Sequence, residues 1–277
     1  MKKPRQIRKV ILTLFLLVTG VASLYPFFFM LFSGFKPSGE VLSSPFLPMT
    51  ENSGILNYQN LFAHPFYSFG RWFGNTVLMT AITLGIKYFI VTITAYGFSK
   101  IRFPGRNVIF LVLLGALMIP GDIMIMPRYI IFKQLGILNT MWAVILPSAI
   151  DVYFVFLLRQ AFQRIPNSIS EAARIDGCGH FRIYRSIVMP LAKTSVWTML
   201  LFSFVWVWND YMSPYLYISD VNRQMLSVGI KLFSAGQVQD YGIQMAAATV
   251  VLIPTIVLFF FTQKYFVEGV TAGAVKG

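Results

Sequence analysis

Apolar residues dominate six stretches of the chain: Val10 to Phe32, Trp72 to Phe98, Val108 to Met126, Trp142 to Leu158, Thr194 to Met212 and Gly242 to Phe266. Each is near the ~20 residues that cross hydrocarbon as a helix, longer than a barrel strand, and free of two-residue alternation. A backbone in lipid must satisfy its own hydrogen bonds, so the pattern predicts six transmembrane helices in an all-α integral membrane fold, with both termini on one side. The longest polar connection, Ser33 to Arg71, carries Pro37, Pro45, Pro48 and Pro65. Prolines at that density block long helices and predict an irregular cap. A second connection, Ser213 to Tyr241, is expected to turn at Pro214 and Gly236. The chain divides into an N-terminal segment 1–9, a membrane domain 10–268 and a tail 269–277.

Composition agrees with this pattern: 56% of residues are hydrophobic and 12% charged, with a mean hydropathy of +0.67. A soluble domain carries about twice that charge. The first apolar run follows Lys2, Lys3, Arg5, Arg8 and Lys9, but no small-residue cleavage site follows, so it is expected to remain as a helix. Basic residues then set the orientation. With the N-terminus in the cytoplasm, the inner segments hold 16 Lys and Arg and the outer ones 6; Lys87 lies inside a span. The net charge of +13 is therefore topological, and its partner is a lipid bilayer, with no nucleic acid implied.

That orientation places the loop 159–193, between the fourth and fifth spans, in the cytoplasm. Pro166-Asn167-Ser168 interrupts the preceding helix, and Ser168 with Glu171 has the spacing of a capping box, which predicts a short helix from Ile169 to Asp176. Gly177 and Gly179 permit a turn through positive backbone angles, and His180 to Ser186 is expected to form a second short helix before Pro190. Glu171 caps its own helix in one reading. In the other it offers a charge to a partner, while Ala172 and Ala173 let the helix sink into a cleft. The two readings are compatible.

The run Glu171-Ala172-Ala173, a gap of three residues, Gly177, a gap of nine and then Ile187-Val188-Met189-Pro190 resembles the signature of bacterial binding-protein-dependent ABC permeases. Met189 stands where that family usually has Leu, a change that conserves volume. The resemblance covers almost the whole chain. Trp208-Asn209-Asp210-Tyr211, the turn Arg102-Phe103-Pro104-Gly105 and the tail from Gly269 to Gly277 resemble the sugar-transporting branch, and specifically the second permease subunit of the maltose importer. The resemblance implies a type I ABC importer fold and inward movement of a sugar, most plainly an oligosaccharide, by alternating access. It also implies three kinds of partner: a second permease subunit in a heterodimer, two ATPase subunits, and an extracytoplasmic sugar-binding protein. Glu171, Ala172, Ala173, Asp176 and Gly177 would then dock the ATPase.

Charges inside the membrane are costly and turn toward protein or water. Lys87 is about 18 Å of helix from either end of its span, too deep for easy snorkelling, and Asp151 is expected near the middle of its own helix. An ion pair between them, lining or bracing a cavity, is the expected arrangement. Asn209 and Asp210 fall at the outer end of the fifth span, within reach of solute or binding protein; Asp122 is placed similarly on the third. Catalytic chemistry is not expected: the histidines are His64 and His180, Cys178 is the sole cysteine, and no phosphate-loop sequence occurs. No metal or cofactor is called for, and ATP hydrolysis falls to a partner. The alternative class is an ion-coupled secondary transporter using Lys87 and Asp151 as a proton relay.

Overall fold

The computed structural model describes residues 3–65, 67–233 and 240–274, with backbone alone for 3–7 and 264–274. Helices form wherever the apolar runs lie, and no strand occurs among the described residues. The elements are α1 (Lys3–Ser33), α2 (Ser38–Ser43), α3 (Leu56–Phe62), α4 (Phe69–Lys100), α5 (Arg106–Ala116), α6 (Ile125–Gln134), α7 (Trp142–Ala149), α8 (Val152–Gln163), α9 (Asn167–Ile175), α10 (His180–Ile183), α11 (Met189–Leu191), α12 (Lys193–Trp208), α13 (Met212–Tyr217), α14 (Leu226–Leu232) and α15 (Tyr241–Ala274). Two compact units result. One comprises residues 1–70 and 229–254, the other 71–228 and 255–277.

Among the described residues, four helical stretches are long and apolar enough to cross a membrane singly, and the number is six when each of two bent pairs counts as one span. The six expected spans are all represented, but two are sharply bent. Arg106–Ala116 and Gly121–Gln134 meet at 89°, and His180–Leu191 and Lys193–Trp208 at 81°. The first bend follows from Pro120-Gly121, where proline denies an N–H to the preceding turn. The fourth span is also interrupted. Ile150 and Asp151 adopt extended angles between α7 and α8, so Asp151 is not in the middle of a helix as expected but at the head of one. Leu16 on α1 is 67% exposed, like most of its neighbours. Only hydrocarbon accommodates such a surface, and this is a multi-pass membrane protein.

In the first unit the connection 33–71 is less irregular than expected, because α2 and α3 form within it. Pro37 stands at the head of α2, where its missing N–H costs nothing. Lys36, 1% exposed, donates from Nζ to Ser44 O at 2.7 Å, while Asn57 Nδ2 donates to Gly34 O and Lys36 O. Glu40 accepts from Asn52, and hydrogen bonds from Thr50 and Asn52 hold its carboxyl below the usual carboxylate range. Two glycines admit the approach of α15 to the end of α1. A Cβ on Gly242 would lie 2.6 Å from Asn57 Nδ2 and 2.8 Å from Lys36 O, and one on Gly34 would lie 2.7 Å from the Tyr58 hydroxyl.

In the second unit the main core joins α4, α8, α9 to α11 and α12 through Val91, Ala95, Phe154, Leu158, Ile183 and Met199. A smaller cluster around Met79, Ile145, Val207 and Met225 closes the other end. Pro214, expected at a turn, sits within α13, while Gly236 and residues 275–277 of the tail lie outside the described residues. The remaining tail continues α15 as far as Ala274.

Because the Gly242 contact is with backbone as well as side chain, Gly242→Ala forces α15 away from the α1 end. The expected cost is about 1–3 kcal/mol, read as a drop in apparent Tm of the detergent-purified protein, with Gly39→Ala, which meets open space, as the neutral control.

Candidate functional site: a buried ion pair and a surface loop joined by two helices

Lys87 projects from the central part of α4, 13 residues before its end, and its side chain is 3% exposed. Its Nζ lies 3.0 Å from Asp151 Oδ2 and 5.4 Å from the centre of the Phe154 ring. Asp151 divides its two oxygens. Oδ1 accepts from the N–H groups of Tyr153 and Phe154 at 3.1 and 3.4 Å, capping α8, while Oδ2 takes Lys87. The break at Ile150 frees the first N–H groups of α8, which need an acceptor away from water, and a carboxylate supplies it. That carboxylate then needs a cation of its own, and Lys87 is placed to be it.

The pair borders a cleft of about 260 Å³, lined also by Ser148, Ile150, Trp206 and Asp210. Trp206 is half exposed and packs its ring 5.2 Å from Phe154 and 6.1 Å from Tyr153, which forms an aromatic wall beside the charges. Asp210 Oδ1 accepts from Ser213 N, and its carbonyl accepts from Ser227 Oγ. The structure thus brings three of the four substrate-path candidates, Lys87, Asp151 and Asp210, to one cleft. Asn209 is not brought to it: it ends α12, exposed, with Nδ2 bonded to Val205 O. Asp122 is also exposed and apart from the cleft, in a short 3-10 turn at 121–124. Trp206 was missed because nothing distinguishes it among the chain's many aromatics.

The second feature is the segment from α9 to α11. The helix α9 starts at Asn167, two residues earlier than expected, with Pro166 at its head and no side-chain cap, so the Ser168 and Glu171 capping box does not form. Its end follows a Schellman motif, with Cys178 N donating to Ala173 O, Gly177 N donating to Arg174 O, and Gly177 at φ +84°. Gly179, expected to share this role, is extended at φ −72°. The second helix does not stop before Pro190. After α10 a wide π turn at Tyr184–Val188 leads into α11, and the chain bends only at Ala192. A widened turn ahead of Pro190 accommodates a ring that would clash with the carbonyl four residues back. Glu171, Ala172, Asp176 and Gly177 are exposed, whereas Ala173 packs into the unit's own core. Ile175 is 88% exposed and Phe181 67%, an apolar surface on this segment.

Two helices join the cleft to this segment. Beyond Lys87, α4 carries Thr92, whose hydroxyl is 2.7 Å from that of Tyr184, and Tyr96, 3.4 Å from His180 Nδ1. Lys100, at its end, donates to Ile165 O and Asn167 Oδ1. Running alongside, α8 begins at Val152, directly after its cap Asp151, and ends at Gln163, just before α9, and its Arg159 donates to Phe98 O while stacking over Phe110.

Residues 92–272 match the model of the family described as the inner membrane component of binding-protein-dependent transport systems. The chain belongs to this family. This permease is similar over nearly its whole length to the probable ABC transporter permease protein YurM of Bacillus subtilis, at 32% identity over 95% of the chain and 87% of the relative. It is 29% identical to the arabinooligosaccharides transport system permease protein AraQ of the same organism, over 97% of the permease and 96% of AraQ. A chain of a crystallised bacterial ABC transporter that imports alginate shares the fold, with a TM-score of 0.84 over 96% of the permease and 99% of that chain, at 20% identity. The fold is therefore that of an ABC importer permease.

Breaking one member of a largely buried pair strands the other. Lys87→Met and Asp151→Asn are each expected to cost about 3 kcal/mol, the low end for a buried pair because Asp151 is 19% exposed, and to lower apparent Tm by several degrees. The double variant keeps the amide oxygen as a cap and leaves no unpaired charge, so it should regain at least half of the loss; additive losses would show that the two charges act independently.

Proposed function

We propose that this permease moves an oligosaccharide into the cytoplasm, through a path that includes the Lys87–Asp151 cleft, driven by an ATPase that docks on α9 and its flanking turn. The observation that carries the reading is the paired helices α4 and α8, which run from that cleft to the loop bearing Glu171 and Gly177. Packed helices move as rigid bodies, so a displacement of the loop by a partner reaches the cleft without loss in flexible linkers. Glu171 offers the partner a carboxylate, Ala172 a small side chain, Ile175 and Asp176 contact on the same exposed segment, and Gly177 the turn that presents them. Ala173 serves from within, keeping α9 close on the core.

Several relatives carry names that support a saccharide cargo: the arabinooligosaccharides permease AraQ, a polygalacturonan and rhamnogalacturonan permease of Bacillus subtilis at 30% identity, and a diacetylchitobiose uptake permease of Streptomyces coelicolor at 28%. The cleft has chemistry to match, with the ring of Trp206 to lie against the apolar face of a sugar and Ser148, Asp151 and Asp210 to accept or donate hydrogen bonds. A second permease subunit, two ATPase subunits and an extracytoplasmic binding protein complete the machine. The last has a parallel in a solved alginate transporter described in complex with an alginate pentasaccharide-bound periplasmic protein. The basic residues of the inner segments put both termini, and the docking loop, in the cytoplasm of a bacterial cell. The proton-relay alternative gains no support: the relatives are ABC permeases, and Asp151 is committed to capping α8 as well as to Lys87.

Reversing the charge at Glu171 tests docking without disturbing the fold, because its side chain is exposed. In a mild-detergent purification of the permease from its native membrane, an ATPase subunit and a second permease should co-purify. Glu171→Arg should reduce ATPase recovery and saccharide uptake at least about tenfold, the scale of one lost charge-assisted contact. Recovery of the permease alone, with uptake driven by an ion gradient, would contradict the proposal.

A further inference from the structure

A hollow of about 280 Å³ lies where the end of α4 meets α9 and α10, distinct from the cleft at Lys87. From α4 and the residues after it come Lys100, Ile101 and Arg102; from α10 comes His180. The rest belongs to one face of α9, where Asn167, Ser170, Glu171 and Arg174 recur at three- and four-residue spacing. Three fixed cations thus stand against a single carboxylate.

The donors around this hollow are incompletely used. Ser170 is 7% exposed, lines the hollow, and its hydroxyl has no hydrogen-bond partner. A buried hydroxyl left in that state is costly, so its retention calls for an acceptor that comes from outside the chain. Lys100 gives two of its three N–H groups to Ile165 O and Asn167 Oδ1 and keeps one. Asn167, accepting with Oδ1, has its amide N–H₂ to donate. One terminal nitrogen of Arg174 is 3.4 and 3.5 Å from the two ring nitrogens of His180, so the guanidinium lies against the imidazole and its outer N–H groups stay available. The first turn of α9 has no side-chain cap, which adds the partial positive charge of a helix start.

We propose that this hollow binds a phosphate group. Donors converge on it from α9 and from the end of α4 with the residues after it: a hydroxyl, an amide and the Arg174 guanidinium from α9, the Lys100 ammonium from α4 and the Arg102 guanidinium beyond it. This suits a tetrahedral oxyanion, whose acceptor oxygens point to several sides, better than a carboxylate, whose acceptors lie in one plane. Lys100 ends a helix long and apolar enough to cross a membrane, so the phosphate can come from a phospholipid headgroup as well as from solution. Bound there, phosphate ties the end of α4 to α9 and α10 and stiffens the segment that carries Glu171. That this segment faces the cytoplasm rests on the proposed function; the site itself does not.

The test uses the full-length permease and needs no transport. In detergent, its apparent Tm is followed against inorganic phosphate, with chloride at equal ionic strength as reference. In nanodiscs of phosphatidylglycerol or phosphatidylcholine, native mass spectrometry counts retained lipid. Ser170→Ala deletes a hydroxyl with no partner, so without phosphate it should be as stable as the parent. With phosphate, or with retained phosphatidylglycerol, Ser170→Ala combined with Arg102→Gln should weaken binding at least about tenfold. A phosphate-dependent rise in Tm identifies the free anion, and lipid retention lost in the double variant identifies the headgroup; either supports the site. Absence of both in the parent, or binding unchanged in the double variant, overturns it. So does a loss of stability in Ser170→Ala without phosphate. None of these outcomes depends on ATPase docking, and Glu171, which also lines the hollow, is unchanged in these variants.

Discussion

The ion pair between Lys87 and Asp151 is the interaction on which the second unit turns. A helix that breaks within a membrane exposes backbone N–H groups to a medium that cannot solvate them. Here the break between α7 and α8 is held by one carboxylate, which caps α8 with one oxygen and neutralises a buried lysine with the other. Neither residue is tolerable there alone. Together they permit an opening beside an aromatic wall, where a chain of uninterrupted helices would pack shut.

From that point two helices carry the geometry outward. The same α4 that holds Lys87 holds Thr92, Tyr96 and Lys100 against the loop, and the helix that starts at Asp151 leads directly into it. The loop is rigid by its own chemistry, through the Schellman turn at Gly177 and the burial of Ala173, Ile183 and Val188. Its outward residues, Glu171 and Ile175 among them, are exposed. Under the proposed function a partner pushes on this loop, and a stiff connection of this kind would carry the push to the cleft.

The spans were legible in the sequence because lipid imposes length and apolarity on a helix with few exceptions, and Lys87 stood out as a lone charge in an apolar run. The Glu171 to Pro190 spacing was legible as a pattern. What escaped was local. The run Trp142 to Leu158 is apolar throughout, so nothing in its hydropathy marks the extended angles at Ile150 and Asp151; only Pro147 hints at them. Ser168 and Glu171 have capping-box spacing, but Pro166 starts the helix early enough to leave no such cap. Gly177 and Gly179 read alike, although only the former follows a helix end that requires a positive φ. The unpartnered hydroxyl of Ser170 depends on tertiary packing and has no signature at all.

The central claim is that the cleft and the loop are mechanically one body. Hydrogen exchange followed by mass spectrometry, on peptides covering Asp151–Gln163 and Asn167–Cys178 in the parent and in Lys87→Met, tests this directly. Loss of the lysine should speed exchange at the first turn of α8 and also in α9, which lies beyond the ~18 Å length of α8. Faster exchange confined to residues near Asp151, with α9 unchanged, would contradict the account.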